Sequence, residues 1–381
     1  MPDQPASSLP GTVALGPAQR PAPTPADGGA PSVVAILGAG SIGVAFALVF
    51  ARAGCSVRCW DPEPPARQRA GVDLADRLER LAAHGLLAEQ PAAVAARVSF
   101  PDDVAQVVAG VGLVQECAPE ILDVKRHLFA DVSPLTGPDT VLASSSSAIP
   151  ASRVGEGLPV AERLLVGHPG NPPYLLPVVE VVPAPATAPG IVDRAVALYR
   201  FAGLHPVVVR REVEGFVFNR LQGALLREAY CLVRDGVIDV TELDTVVRLG
   251  LGRRWGVIGP FETVDLNTRG GIESHAAKLG PAYERMGAER GQHDPWTPEL
   301  VADVARQRRA QLPLAEWDQR VRWRDEQLMR LAAFDRANPD AVEASEVPTP
   351  ADRPATGRPQ SDTRPAPTPS PVPDHEVVGD A

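Results

Sequence analysis

Cysteine, aromatic residues and positive charge are all scarce in this 381-residue chain, which has four cysteines, 5% aromatic residues and a net charge of −10. Cys55, Cys59, Cys117 and Cys231 form no CxxC pair and have no matching histidine spacing. They read as buried apolar residues of a reduced, cytoplasmic protein, with neither a disulfide framework nor a metal knuckle. The negative balance is diffuse, with no long like-charge block, and it argues against nucleic acid as a partner. The first thirty residues lack the basic start and apolar core of a secretory signal. No charge falls between Asp27 and Arg52, which is the one candidate for a membrane span. A span needs roughly 20 unbroken apolar residues. Gly38, Gly40, Ser41 and Gly43 interrupt this stretch and Arg52 closes it, so no membrane partner is expected.

What the chain does have is a sizeable apolar fraction, 44%, and a length that suits two domains. Residues 1–31 are rich in Pro, Ala, Gly and Ser and read as a disordered leader. Val33–Leu37 is then a short β-rich run, followed at once by Gly38-Ala39-Gly40-Ser41-Ile42-Gly43. Ser41 to Ala53 carries Ile42, Phe46, Val49 and Phe50 at helical spacing. Ser56 to Trp60 is a second strand and ends at Asp61, eighteen residues past Gly43. Strand, glycine turn, helix, strand and terminal acid make up a dinucleotide-binding unit. Gly38 permits the tight turn, Gly40 lets backbone approach a pyrophosphate, and Gly43 allows close helix–strand packing. A carboxylate at Asp61 suits the ribose hydroxyls and repels a 2′-phosphate, which predicts NAD over NADP.

Further on, Pro62–Pro65 reads as a loop and Asp73–Leu87 as an amphipathic helix. Strands are expected at Val98–Phe100, Gly112–Glu116, Thr140–Ser144, Arg163–His168, Val178–Val182 and Pro206–Val209. Helices are expected at Pro119–Val132 and Ile191–Phe201. Alternating strands and helices imply an α/β domain over 32–212 with helices on both faces of its sheet. From Gly215 onward only helical spacing appears: Phe216–Val233, Thr241–Leu249, Ile272–Arg285, Pro298–Arg309 and Leu314–Phe334. An all-helical second domain is therefore expected over 213–336, its last helix carrying Arg320, Arg322 and Arg324 on a solvated face. Residues 337–381 read as a disordered Pro-rich tail.

The chemistry-bearing residues cluster near expected strand ends, where open α/β sheets bind their ligands. His168 ends Leu164-Leu165-Val166-Gly167 and by itself could be structural. Glu180 sits inside Val178-Val179-Glu180-Val181-Val182, where an unpaired carboxylate would cost several kcal/mol. It needs a partner, and His168, twelve residues back, is the nearest candidate. A carboxylate on one ring nitrogen fixes the tautomer and frees the other nitrogen as a general base. The Ser144–Ser147 tract is ambiguous alone, as is Asn219, which could be a helix cap.

In order and spacing, four stretches resemble the 3-hydroxyacyl-CoA dehydrogenase family. They are Gly38 to Gly43, Ser144 to Ser147, His168-Pro-Gly-Asn171-Pro-Pro-Tyr174 with Glu180, and Gly215-Phe-Val-Phe-Asn219-Arg220. Gln115-Glu116-Cys117, Ile258-Gly259-Pro260-Phe261-Glu262-Thr263 and Trp323-Arg324-Asp325 resemble its lambda-crystallin / L-gulonate 3-dehydrogenase branch. Tyr174-Leu175-Leu176-Pro177 also resembles the carnitine dehydrogenase branch. The resemblance covers about residues 33–331 and implies a Rossmann-type domain followed by a helical one, with NAD as cofactor. It implies catalytic roles for Ser147, His168, Glu180 and Asn219, and NAD contacts at Gly38, Gly40, Ser41, Ile42, Gly43 and Asp61. It further implies nicotinamide-side contacts at Glu120, Lys125 and Asn171, and a homodimer through the helical domain.

One departure bears on substrate. The acyl-CoA branch carries serine and lysine contacts to CoA on the helix after the second strand, and this chain has Arg77 and His84 there. A small 3-hydroxy acid, L-gulonate-like, is therefore expected before a 3-hydroxyacyl-CoA or carnitine. The reading from another class is a crystallin-like protein that binds NAD without turnover. Retention of Ser147, His168, Glu180 and Asn219 together argues against it.

Overall fold

The computed structural model describes residues 33–256, 259–260, 263, 271–290, 313–316 and single positions from 319 to 337. The expected leader, the helix over Pro298–Arg309, nearly all of the tail, and Arg320 and Arg324 lie outside these residues.

Eight short apolar runs become strands: β1 (Val33–Leu37), β2 (Ser56–Trp60), β3 (Val98–Ser99), β4 (Leu113–Glu116), β5 (Val141–Ser144), β6 (Leu164–Pro169), β7 (Val178–Pro183) and β8 (His205–Val208). They form one sheet in the order β3-β2-β1-β4-β5-β6-β7-β8. Every neighbouring pair is parallel except β6 and β7. Side chains alternate across a strand, and β1 shows the result. Val34 and Ile36 enter one core while Ala35 and Leu37 enter the other. Both faces are covered along β1 and β4 to β7, whose residues are almost all buried, whereas β2 alternates and β8 is largely exposed.

The covering helices are α1 (Ser41–Arg52), α2 (Pro64–Ala83), α3 (Pro91–Ala95), α4 (Val104–Val108), α5 (Leu122–Val132), α6 (Ala151–Val154) and α7 (Pro189–Phe201). Gly43 to Ala51 of α1 are all buried, because the helix is enclosed by the sheet and by its neighbours α2 and α3. The core on this side packs Phe46 and Phe50 against Tyr199 of α7. The expected helix at Asp73–Leu87 is α2, which begins nine residues earlier, at Pro64. Pro64 and Pro65 occupy its first turn, where a missing N–H costs nothing, so the second half of the expected Pro62–Pro65 loop is helix. Its end at Ala83 comes just before Gly85, whose φ of +68 stops the helix short of Leu87. The short helices α3, α4 and α6 were not foreseen, since four or five residues hold too little periodicity to read.

After β8 the described residues contain helices and no strand: α8 (Phe218–Arg234), α9 (Val240–Val246), a π-helical turn over Val247–Leu251, α10 (Gly252–Trp255) and α11 (Gly271–Arg290). The last described positions return to the first domain. Met329 is fully buried in the core that holds Leu74 and Leu78 of α2. Arg80 Nη2 donates to Arg322 O at 3.0 Å, and Arg336 donates to Gly85 O. No helix among the described residues is long and apolar enough to cross a membrane.

Candidate active site

Strand order reverses at β1, between β2 and β4, and ligands bind at such a switch point beyond the carboxyl ends of the strands. The glycine turn sits there. Gly38 has φ +108, its N–H donates to Trp60 O at 2.7 Å, and a Cβ on it would come within 2.6 Å of Cys117 O. A Cβ on Gly43 would fall 1.8 Å from Gly38 O, so only glycine fits between the turn and α1. At Gly40 a Cβ would meet nothing within 4 Å, which leaves that backbone open to an approaching ligand. The first amide of α1 with a backbone partner is Val44's, bonded to Gly40 O at 2.9 Å. The amides ahead of it, from Ser41, Ile42 and Gly43, are the donors that a helix N-terminus offers an anion. Asp61 holds the turn: Oδ2 accepts from Ala39 N–H at 2.9 Å and Oδ1 from Glu63 N–H at 3.0 Å. Gly38, Gly40, Trp60, Asp61, Pro119 and Leu128 line a cavity of about 720 Å³. Close glycines, open amides, a terminal acid and a cavity of this size fit a dinucleotide.

Beside the turn lies a buried charge cluster in which Glu120 and Lys125, both expected at the site, meet Glu116, whose part in it sequence reasoning did not find. Glu116, the last residue of β4, is fully buried and Lys125 is 1% exposed. Lys125 Nζ donates to both Glu116 oxygens, at 2.9 and 3.1 Å, and lies 3.3 Å from Glu120 Oε2. Ser144 Oγ and Ala118 N–H also donate to Glu116, at 2.5 and 2.6 Å. Burial pushes the Glu116 carboxyl up, while the Lys125 ammonium and these hydrogen bonds pull against it. Glu120 Oε1 gathers the serine tract, accepting from Ser146 Oγ at 2.6 Å, Ser147 N–H at 2.9 Å and Ala148 N–H at 3.0 Å. Burial would raise the Glu120 carboxyl, yet these donors and Lys125 hold it below the ordinary carboxylate value. The signal for Glu116 was present: a carboxylate ending an apolar strand, the same pattern that singled out Glu180.

His168 and Glu180 are direct cross-strand partners in the one antiparallel pairing. Cross-strand neighbours share a face, and His168 Nδ1 meets Glu180 Oε2 at 2.8 Å. Both are buried, at 7% and 4% exposure. Glu180 Oε1 accepts from the amides of Val217 and Phe218, at 2.8 and 3.0 Å, so it also seats the start of α8. Burial alone would raise Glu180, but the bonds from His168 and the two amides outweigh it and hold the carboxyl below its ordinary value. Phe216, fully buried with φ +50, shapes the turn that presents these amides. A bulky residue in that conformation costs roughly 1–3 kcal/mol. Phe216 and Phe218 wall the His168 ring, with centroids 5.7 and 6.2 Å away. Among the described residues His168 Nε2 has no hydrogen-bond partner.

The first turn of α8 joins the two clusters. Asn219 follows Phe218 there, and its Nδ2 donates to Ser147 O at 3.0 Å. Ser147, Glu120 and Asn219 are thus tied together, and so are His168, Glu180 and the start of α8. Lys125 sits behind Glu120. Asn171 is exposed, and none of these hydrogen bonds reaches it. Ile42 is half-buried against the core, and Ser41 is held by Arg77, a contact that sequence gave no means of seeing. A further buried network, also missed, runs from Tyr199 Oη through Gln115 Oε1 at 2.6 Å to Ser145 Oγ, 2.8 Å from Gln115 Nε2. It makes glycine obligatory before His168, because a Cβ on Gly167 would fall 2.0 Å from Tyr199 Oη.

Two family models match the chain: the NAD binding domain of 3-hydroxyacyl-CoA dehydrogenase over residues 33–213 and the 3-hydroxyacyl-CoA dehydrogenase C-terminal domain over residues 215–313. The chain is 39% identical over 310 residues to a lambda-crystallin homolog of Bos taurus, covering 80% of this chain and 95% of that one. It is 38% identical over 272 residues to an L-carnitine dehydrogenase of Pseudomonas sp, covering 70% and 81%. Among solved structures, FHMPC 5-dehydrogenase, described as an NAD+ dependent dismutase, superposes with a TM-score of 0.69 at 31% identity, covering 80% of this chain and 98% of that one.

Proposed function

The chain belongs to the 3-hydroxyacyl-CoA dehydrogenase family, with NAD as its cofactor, and from that premise we propose that it oxidises the 3-hydroxyl of a small, L-gulonate-like hydroxy acid to the 3-keto acid. The observation that carries the reading is the buried 2.8 Å bond between His168 Nδ1 and Glu180 Oε2. Glu180 accepts from Nδ1–H, so Nε2 keeps its lone pair and takes the proton from the substrate hydroxyl. NAD, when bound, supplies the ring carbon that accepts the hydride. Glu180 stabilises the imidazolium that forms at His168. Because the Val217 and Phe218 amides saturate its other oxygen, Glu180 stays ionised and does not take the proton itself. Ser147 Oγ and the second amide proton of Asn219 hydrogen-bond the oxygen that becomes the ketone. Glu120 and Lys125 set the loop that carries Ser147.

Three observations favour a small acid over a CoA thioester. Arg77, at the position of a CoA contact in the acyl-CoA branch, is 9% exposed and already bonded to Asp73 and Ser41. His84 Nδ1 is bonded to Arg80 O at 2.8 Å. The superposing FHMPC 5-dehydrogenase is named for a small pyridine carboxylic acid. Carnitine fits less well, because the Tyr174 ring that could face a quaternary ammonium is 6% exposed and lies under the Arg77 guanidinium. The reading includes a cytoplasmic location, where thiols stay reduced. Burial pushes the Cys55 thiol up to about 11 and the Cys59 thiol up to about 12, which keeps both protonated. It also includes a homodimer through the helical domain, supported by the exposed Leu221, Val246 and Met286. Light scattering checks the dimer, and a monomer counts against it.

The deciding experiment follows NADH absorbance with L-gulonate, with carnitine and, in the reducing direction, with acetoacetyl-CoA. Turnover of L-gulonate well above the others is expected. Turnover of acetoacetyl-CoA alone would sink the small-acid reading. NADH binding without turnover of any substrate would return the crystallin-like alternative.

A further inference from the structure

Arg77 is a nearly buried cation that joins two helices of the first domain, outside the active-site clusters. Its Nε and Nη2 grip the two Asp73 oxygens at 2.9 and 2.7 Å. Nη1 donates to Ser41 O at 3.0 Å, and Nη2 donates a second bond to Ser41 Oγ, also at 3.0 Å. The guanidinium carbon stands 5.7 Å over the Tyr174 ring. A surface ion pair four residues apart on a helix is worth only a few tenths of a kcal/mol. This pair is 9% exposed on the arginine side, and its other donors leave α2 for the first residue of α1.

We propose that Arg77 is a positioning residue for the dinucleotide, acting through Ser41. Ser41 opens α1 immediately after Gly40, so its amide and hydroxyl stand beside the backbone left open for a pyrophosphate. A hydroxyl has one proton and two lone pairs. With one lone pair taken by Arg77, the Ser41 proton is turned away from the guanidinium and toward the anion. The bond to Ser41 O fixes the peptide of the same residue, so the rim of the anion seat is held at two points. Asp73 neutralises most of the guanidinium charge, which leaves Arg77 as an orienting fork rather than a phosphate ligand. Only a planar fork reaches Asp73, Ser41 O and Ser41 Oγ together, and lysine cannot. The Tyr174 loop, which follows His168 in sequence, rests on the same guanidinium, so the cofactor rim and the catalytic-base loop share one support.

The inference rests on the NAD assignment and not on the choice of substrate, so its test is NADH fluorescence titration of the full chain, together with thermal melting. Arg77→Met is expected to weaken NADH roughly 10- to 100-fold, the size of losing hydrogen bonds from a charged donor. Arg77→Lys should recover less than half of that on a logarithmic scale. Tyr174→Leu, which leaves every Arg77 hydrogen bond in place, should loosen NADH less than Arg77→Met. Ser41→Ala combined with Arg77→Met should be no weaker than the worse single variant, because the two residues act as one unit. NADH affinity of Arg77→Met within twofold of the unaltered chain, with only the melting temperature lowered, would reduce Arg77 to a structural staple and overturn the proposal. So would multiplicative losses in the double variant. Should Arg77→Met fail to fold, Arg77→Lys decides, and an unchanged NADH affinity there overturns the proposal equally. An unaltered chain that binds no NADH would sink the cofactor assignment itself, a result distinct from these.

Discussion

Glu116 and Glu180 are both carboxylates buried toward the same end of one sheet's strands, and they differ in what their partners leave over. Glu116 ends β4 and receives Lys125, Ser144 and Ala118. Every partner is a donor with nothing facing outward, and Lys125 is itself 1% exposed. Glu180 lies in β7, which runs the opposite way, and its partner His168 uses one nitrogen for the bond and keeps the other. A buried pair with all its valences used is scaffold, whereas one with a valence open can move a proton. The amphoteric imidazole makes the difference, since an ammonium has donors only.

The contrast breaks most sharply at Lys125. Removing one partner of a buried ion pair typically costs about 3–5 kcal/mol. Lys125→Met should therefore lower unfolding stability by an amount in that range, read from urea melts. Glu116→Gln added to it should restore much of the loss, because the stranded charge is gone. A single variant as stable as the parent would show that the cluster is not the scaffold described here.

His168→Gln and Glu180→Gln test the other half. General acid–base groups contribute about 10²–10⁴-fold. Each variant should lose kcat by roughly a hundredfold or more, with NADH affinity little changed, and the double variant should be little worse than the worse single. Intact kcat in Glu180→Gln would move that residue into the same structural class as Glu116.

The smallest expected effect is on acid stability. Glu180 is held below its ordinary value of 4.5, so it adds stability that is full above that pH. The contribution is lost as pH falls through the lowered value of the folded state. The part of the melting-temperature gap between the parent and Glu180→Gln that comes from the carboxylate should therefore shrink as pH falls below 4.5. A gap that widens as pH falls below 4.5 would reverse the sign argued here.

Much of this site could be read without coordinates. Glu180 was legible because valines surround it, and His168 because it ends an apolar run twelve residues away. Glu116 carried the same mark, yet its partners lie nine and twenty-eight residues downstream, on α5 and β5, where no local pattern points back to it. Arg77 was marked only by its position, where the acyl-CoA branch contacts CoA. Its bond to Ser41 was not legible, since an arginine on an amphipathic helix reads as solvated until the helix that it touches is known. The start of α2 was misread for a different reason: Pro64 and Pro65 break a helix interior but suit a first turn, and only the neighbouring structure says which applies.

The sequence by itself determined the elements whose cause is local. Apolar runs buried on both faces make strands, Gly38 and Gly43 stand where no Cβ fits, and a lone carboxylate among valines demands a partner. Tertiary structure alone decided which partner each charge received. It turned β7 antiparallel to β6, so that Glu180 faces His168. It brought the Val217 and Phe218 amides across thirty-seven and thirty-eight residues to the other Glu180 oxygen, and Arg77 across thirty-six to Ser41. The reason is physical: burial fixes what a polar group must have, a bond, whereas strand order and helix packing fix which distant group is near enough to supply it.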